Sequence, residues 1–385
     1  MKAVWKKLNA STTFWGLAFV AVAASLPTFL RWATGEGYET AANILVLVGI
    51  GSIAALGLNI IVGYCGLLNL GFAGFMLIGA YTTGILMKEY HWNFWLAMLA
   101  SIAHGAFWGI VLGIPTLRLT GDYFAIVTFG FSELVIMVAR NWDHVTRGSK
   151  GYPGVPRPPA FDFTWLSHAG IPGAENFKIE FTIAERGNYW YLVAVLLGIC
   201  LFVSHRLLRS RLGRAWQALR EDEVAAEACG INAMWYKTIA FAISAGFGAL
   251  AGSFQSTYYT LVDVKNFEFM TSVFVLCYVV LGGMGTVFGP VAGAAVLVSL
   301  VELLRDSPAK YLAKVMGWWP GAQEKLIALP WVPDMRLMIY GAILIIMIRF
   351  RPEGLFPSRS RSRELHELGI GGVPDHETLF DLRSR

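Results

Sequence analysis

Charge is scarce in this chain. Asp, Glu, Lys and Arg make up 15% of its 385 residues, against about 25% in a soluble domain. That shortage excludes an ordinary water-soluble globule and places the sequence among membrane proteins. Cysteine is scarcer still. Cys65, Cys200, Cys229 and Cys277 show no C-x-x-C spacing, which argues against a zinc site or disulfide framework and for free, buried thiols. The seven histidines are scattered and form no H-E-x-x-H pair, so no metal site and no catalytic cluster is read here. No G-x-x-x-x-G-K-S/T phosphate loop is present either. If ATP and Mg power this protein, another chain must bind them; no cofactor is expected in this one. No basic run is interleaved with aromatics, only an Arg-Ser tail at 359–363, so the net charge of +5 is read as membrane orientation rather than nucleic-acid binding.

Apolar residues supply what is there, at 56% of the chain. Crossing about 30 Å of hydrocarbon takes roughly 20 apolar residues, and runs of that kind give about ten candidate spans: 14–32, 41–62, 66–87, 93–114, 122–139, 189–205, 237–257, 270–286, 289–304 and 337–349. The expected fold is an all-α, polytopic transmembrane helical bundle. It forms one transmembrane domain over 1–356, with a polar, loosely ordered tail at 357–385. The third run opens on the Gly-rich GYCGLLNLGFAGF, and the eighth and ninth are parted only by a Gly-rich turn around Gly285. Either region is a full crossing or re-entrant. Forty-one glycines fit helices packed closely in lipid. The basic start (Lys2, Lys6, Lys7) and the small residues after it could mark a cleaved leader, but a retained first span is the expectation.

One stretch differs from all others. Residues 206–237 form a charged, helical island between two apolar runs. It carries Arg206, Arg209, Arg211, Arg214 and Arg220, then Glu221, Asp222, Glu223 and Glu227. Leu212, Ala215, Trp216 and Leu219 recur at helical spacing. Ala225 and Ala226 favour a helix that allows close approach. Gly230 can adopt the left-handed conformation that ends one. The three acids at 221–223 suit the start of a second short helix. Such an element on the water side is either a handle for a soluble partner or an amphipathic loop lying on membrane lipid. The island, the basic start and the Arg-rich end (Arg349, Arg351, Arg359) fall on one side of a ten-span chain, the cytoplasmic side by the preference for Lys and Arg there. Both termini are then cytoplasmic. The outer loops run against this preference: 140–188 holds six Lys or Arg and 305–336 holds five. The Pro- and aromatic-rich loop 140–188 reads as an ordered surface, either a docking platform or a lid.

Polar residues inside spans are few. Glu133 is an ionisable group deep in the fifth run, where charge is expensive. It either lies beside a translocation path or bonds to backbone or Ser132 to fix packing. Asn59, Asn69, Thr128, Ser132, Ser244 and Ser253 are expected mostly to hydrogen-bond between helices. Asn69, Ser132 and Glu133 are the candidates for a path. His104 reads as a packing residue, and Gly71, Gly74, Gly79 and Gly84 as close helix contacts.

In order along the chain stand GLNIIVGYCGLLNLGFAGFMLIGAY (57–81), TLRLTGDYFAIVTFGFSE (116–133), NWDHVTRGSKGYPGVP (141–156), GRAWQALREDEVAAEACGI (213–231), LGGMGTVFGPVAGA (281–294) and RFRPEGL (349–355). Together these blocks resemble the M-type permease subunit of branched-chain amino acid ABC importers, the LivM family, from about residue 41 to 356. The resemblance implies import of branched-chain or hydrophobic amino acids through an inner bacterial membrane. It implies a second, H-type permease, two ATPase subunits and a soluble receptor as partners. It also implies that the island is the ATPase-coupling segment, through Arg214, Glu223, Ala225, Ala226 and Gly230. Importers of this kind usually carry Glu-Ala-Ala, three residues, then Gly. Here Val224 holds the Glu position and Glu223 stands one place earlier. A permease for urea or short amides, or an ion-coupled secondary transporter, is the alternative left open.

Overall fold

A computed structural model describes residues 38–116, 122–159, 161–162, 178–179, 186–303, 341–342, 345, 349 and 355–356. The expected first span, the loop 305–336, nearly all of the tenth span and the tail 357–385 lie outside the described residues.

In lipid every backbone N–H and C=O must be paired within the protein, so apolar runs become helices. They do so here. Helices α1 (Tyr38–Asn59), α2 (Phe72–Lys88), α3 (Phe94–Thr116) and α4 (Asp122–Asn141) come first. Next are α5 (Arg186–Arg209), two short helices α6 (Arg211–Glu221) and α7 (Glu223–Ala228), and the long α8 (Ala233–Tyr259). A hairpin of α9 (Phe269–Gly282) and α10 (Gly289–Leu303) ends the described bundle. Five of these segments are long and apolar enough to cross a membrane: Glu39–Cys65, Phe94–Pro115, Tyr123–Asn141, Asn188–Arg209 and Ala233–Tyr259. Three apolar helices are shorter, α2, α9 and α10. At 14 and 15 residues, the hairpin arms rise only about 21 Å each, short of the hydrocarbon thickness.

Helix α8 is the axis of the bundle. It packs against α1, α2 and α3, while α5 and α10 cover the other side of α1. Its small residues allow this. A side-chain carbon placed on Gly79 of α2 would lie 2.1 Å from the Ala249 carbonyl oxygen, and one on Gly252 would lie 1.9 Å from that of Met76. The helices therefore touch backbone to backbone, as in other tightly packed membrane bundles. Gly71 and Gly74 make similar contacts with Thr128 and Ser132 of α4, whereas Gly84 faces Tyr152 and Val155 of the loop. His104 is fully partnered: Trp108 Nε1 donates to its Nε2 at 2.9 Å, and Nδ1 lies 2.8 Å from Thr82 Oγ1. Interhelical bonds also explain Ser253, which accepts from Thr83 at 2.6 Å.

The third apolar run departs from expectation. Helix α1 continues into a wider π-helical turn, Ile60–Cys65, that stops at Gly66 with φ +73°. Residues 66–71 are not helical, and α2 begins only at Phe72. Hydropathy alone cannot mark this break, because its residues are apolar or buried. Asn69 is fully buried and its Oδ1 accepts from the Gly71 N–H at 2.9 Å.

The two ends of α8 lie about 40 Å apart, given its length of 27 residues. At its C-terminal end a two-stranded ribbon pairs Tyr152–Pro153 with Leu261–Val262. Tyr152 donates to Glu89 at 2.8 Å, and Lys88 donates to the Pro153 carbonyl at 2.6 Å. The described part of the 140–188 loop is thus an ordered surface on the helix ends. Burial, then the bond to the Glu89 carboxylate, pushes the Tyr152 hydroxyl above the usual phenol range. At the N-terminal end of α8 sit α6 and α7.

Candidate functional site

The island 206–237 resolves into four pieces. Residues 206–209 finish α5, α6 and α7 form a helical pair, and 233–237 start α8. Each new helix is announced by a side-chain cap. Ser210 accepts from the Gly213 N–H, Asp222 from Ala225 at 3.0 Å and Asn232 from Trp235 at 3.0 Å. Such caps satisfy donors that a helix start leaves open. Glu221 therefore ends α6 rather than starting the second helix, and Asp222 and Glu223 alone serve its positive end.

Helix α7 stops as its spacing predicts. Gly230 has φ +86°. Its N–H donates to the Glu227 carbonyl at 2.9 Å, and the Ile231 N–H donates to the Ala226 carbonyl at 3.1 Å. This pair of bonds is the Schellman motif, with its usual apolar contact between Ile231 and Ala226. Ala226 thus faces inward, packing with Leu219 and Ala233. Ala225 faces outward, so the two alanines divide their work. Val224 is 78% exposed, and Ala225, Ala228, Cys229 and Gly230 are exposed beside it. Cys229 corrects the expectation that all four thiols are buried. Nothing lies within 4 Å of the space a Gly230 side chain would fill.

The stripe read from sequence holds this pair to the bundle. Trp216 is fully buried, and its Nε1 donates to the Tyr236 carbonyl at 2.8 Å. Arg214 is exposed and donates to the Arg209 carbonyl at 3.2 Å, across the junction of α5 and α6. Glu223 pairs with Lys237 at 2.6 Å. Lys237 is the buried partner, its side chain 7% exposed against 45% for Glu223. Sequence reasoning missed this pair, although a Lys opening an apolar span was a signal that a carboxylate should lie near. It also missed the contact of Arg220, whose guanidinium donates to the Gly63 carbonyl in the π-helical turn that follows α1.

The break that holds Asn69 lies against α4, the helix that carries Ser132 and Glu133. The Leu70 N–H donates to Thr128 Oγ1 at 3.2 Å. The break and the start of α2 run along Thr128 and Ser132, one turn apart on α4. Asn69 Nδ2 and Ser132 Oγ are buried with no hydrogen-bond partner. Such groups cost about 1–3 kcal/mol when left unpaired, so this strip is unusually polar for its depth. Glu133, half-buried on α4, makes no hydrogen bond to Ser132. No group of His, Cys, Asp and Glu able to hold a metal ion occurs among the described residues.

Comparison with known proteins agrees with this arrangement. Residues 40–348 match the family described as branched-chain amino acid transport system / permease component. The chain is 38% identical over 320 residues to the high-affinity branched-chain amino acid transport system permease protein LivM of Escherichia coli K12, covering 82% of this chain and 69% of that one. Its identity to LivM of Salmonella typhimurium LT2 is 37% over 321 residues, with the same shares covered. Similarity to the LivH permease of the same Salmonella strain is lower, 24% over 258 residues, covering 64% of this chain and 79% of LivH. No solved structure matches the chain. A bundle of apolar helices with a capped, solvent-facing helix pair at one end, matched over residues 40–348, belongs to the branched-chain amino acid transport permease family.

Proposed function

We propose that this chain is the M-type transmembrane subunit of an ATP-driven importer that moves branched-chain or related hydrophobic amino acids into the cytoplasm. Two separate ATPase subunits bind ATP and Mg and dock on α6–α7. An H-type permease completes the pathway, and a soluble receptor delivers substrate to the end that carries the Tyr152–Val262 ribbon. The protein lies in the bacterial inner membrane with the helix pair, and both termini, on the cytoplasmic side. Asn69, Ser132 and Glu133 stand along the path, where the unpaired Asn69 Nδ2 and Ser132 Oγ serve a passing ligand.

The observation that carries this reading is the outward face of α7: Val224, Ala225 and Gly230 are exposed, and nothing occupies the space over Gly230. A side-chain carbon at Gly230 meets nothing within 4 Å among the described residues, so the effect of added bulk there is read as contact with a partner. The test is ATP-dependent leucine uptake into proteoliposomes holding the full complex with its receptor. Gly230→Ala brings the conformational strain alone, about 1–2 kcal/mol, and is expected to keep most uptake. Gly230→Leu adds bulk at the docking face and is expected to abolish uptake while the protein stays in the membrane. Normal uptake with Gly230→Leu refutes the docking role. Equal loss with Gly230→Ala assigns the effect to strain. Uptake by this chain alone, driven by a proton gradient, supports a secondary transporter instead.

A further inference from the structure

We propose that Arg220 is the positioning residue that carries movement of the α6–α7 pair into the π-helical turn at 60–65 and the break that follows it at 66–71. The inference rests on the ATPase-driven reading above. Arg220 lies in the last turn of α6 next to the buried stripe, and its guanidinium donates to the Gly63 carbonyl, 157 positions away in sequence. That carbonyl lies in the last turn before Gly66, where a helix runs out of its own donors. The aliphatic stem of Arg220 lies over Gly66, with Cγ 3.1 Å from the place a side-chain carbon would take. Gly66 therefore supplies both the left-handed turn and the room for the arginine.

Gly63 is a junction. A side-chain carbon there would lie 2.1 Å from Asn59 Oδ1 and 2.6 Å from the Gly285 nitrogen. Asn59 grips the α9–α10 turn, accepting from Gly285 N–H at 3.0 Å and donating to the Thr286 carbonyl at 2.8 Å. On the far side of the break, Leu70 is held by Thr128 of α4. Arg220 thus touches a point at which the helix pair, the π-helical turn after α1 and the α9–α10 turn converge. Only residues 64–69 separate that point from the Thr128–Ser132 strip. A push or pull on α6 therefore reaches both the hairpin turn and the path-facing strip through short, packed, hydrogen-bonded links rather than through lipid.

The experiment compares Arg220→Met and Arg220→Lys with wild type in the reconstituted complex, reading uptake, ATP hydrolysis and ATPase co-purification. Met keeps the stem over Gly66 and removes the donor; Lys restores a charge and a donor. With Met, uptake per ATP hydrolysed is expected to fall about tenfold, the scale of a lost charge-assisted bond, with the ATPases still bound. Lys is expected to recover part of it. A merely structural role would lower uptake and hydrolysis together, in proportion to protein recovered, and leave their ratio unchanged. An unchanged ratio with Met overturns the proposal, and so does loss of ATPase co-purification, which would make Arg220 a docking contact. Should Arg220→Met not accumulate, the ratio in Arg220→Lys decides, an unchanged value again overturning it. If the wild-type complex shows no ATP-driven uptake, the function proposed above fails instead.

Discussion

Single residues in this protein matter chiefly by what they leave out. Gly79 and Gly130 both lie within helices, yet they differ in surroundings. A side-chain carbon at Gly79 would lie 2.1 Å from a backbone oxygen of α8, while one at Gly130 has nothing within 4 Å. Gly79→Ala is therefore expected to force α2 and α8 apart at a cost of about 1–3 kcal/mol. Gly130→Ala is expected to be neutral or slightly stabilising, since Ala favours helix by about 1 kcal/mol. Thermal unfolding of the purified subunit in detergent checks both; equal behaviour of the two would contradict the backbone-contact account. The sequence marked Gly71, Gly74, Gly79 and Gly230 correctly because spacing reveals helix faces and helix ends. It was silent on Arg220, because its partner is the carbonyl of a distant glycine, and a carbonyl has no sequence signature.

At the scale of elements, the α6–α7 pair shows why local chemistry reads well. Caps, charge at the helix start and the closing Gly all act within a few residues. Asp222→Ala should weaken α7 by about 1 kcal/mol, visible as faster amide exchange over 225–228 with α6 unchanged. The Glu223–Lys237 pair is asymmetric in the same sense. Glu223→Gln leaves the buried Lys237 ammonium without its counter-charge, which costs more than the 0–1 kcal/mol typical of an exposed pair. Lys237→Met removes the charge itself and should cost less. A smaller loss of detergent stability for Glu223→Gln than for Lys237→Met would contradict the buried-charge reading. Element boundaries were less legible. The run 66–87 read as either a full crossing or a re-entrant stretch, and Gly66 in a left-handed turn with the non-helical residues to Gly71 postpones α2 to Phe72. Hydropathy cannot see a backbone torsion. The Gly-rich turn between the eighth and ninth runs was legible, since Gly283 and Gly285 do take positive φ.

Over the whole molecule, two ends with different chemistry emerge. The Gly63 junction, the α9–α10 turn and the helix pair share one end. Leu355 and Phe356, from the late Arg-Phe-Arg block, join them there by donating to the Leu281 and Gly282 carbonyls, each at 2.9 Å. The end of that block therefore docks on the close of α9, beside the α9–α10 turn. At the opposite end, Lys88 and Arg140 are engaged by Pro153 and Glu268. Arg140, the first basic residue of the 140–188 stretch, is thereby ion-paired. The central claim is that α7 faces the cytoplasm and is covered by an ATPase. Cys229 tests it directly, being exposed on that face while Cys65 and Cys200 are buried. A membrane-impermeant maleimide should label Cys229 in inside-out vesicles and not in intact cells, and bound ATPase subunits should suppress the labelling. Labelling from the outside, or labelling that is unchanged when the ATPases are bound, would contradict the account.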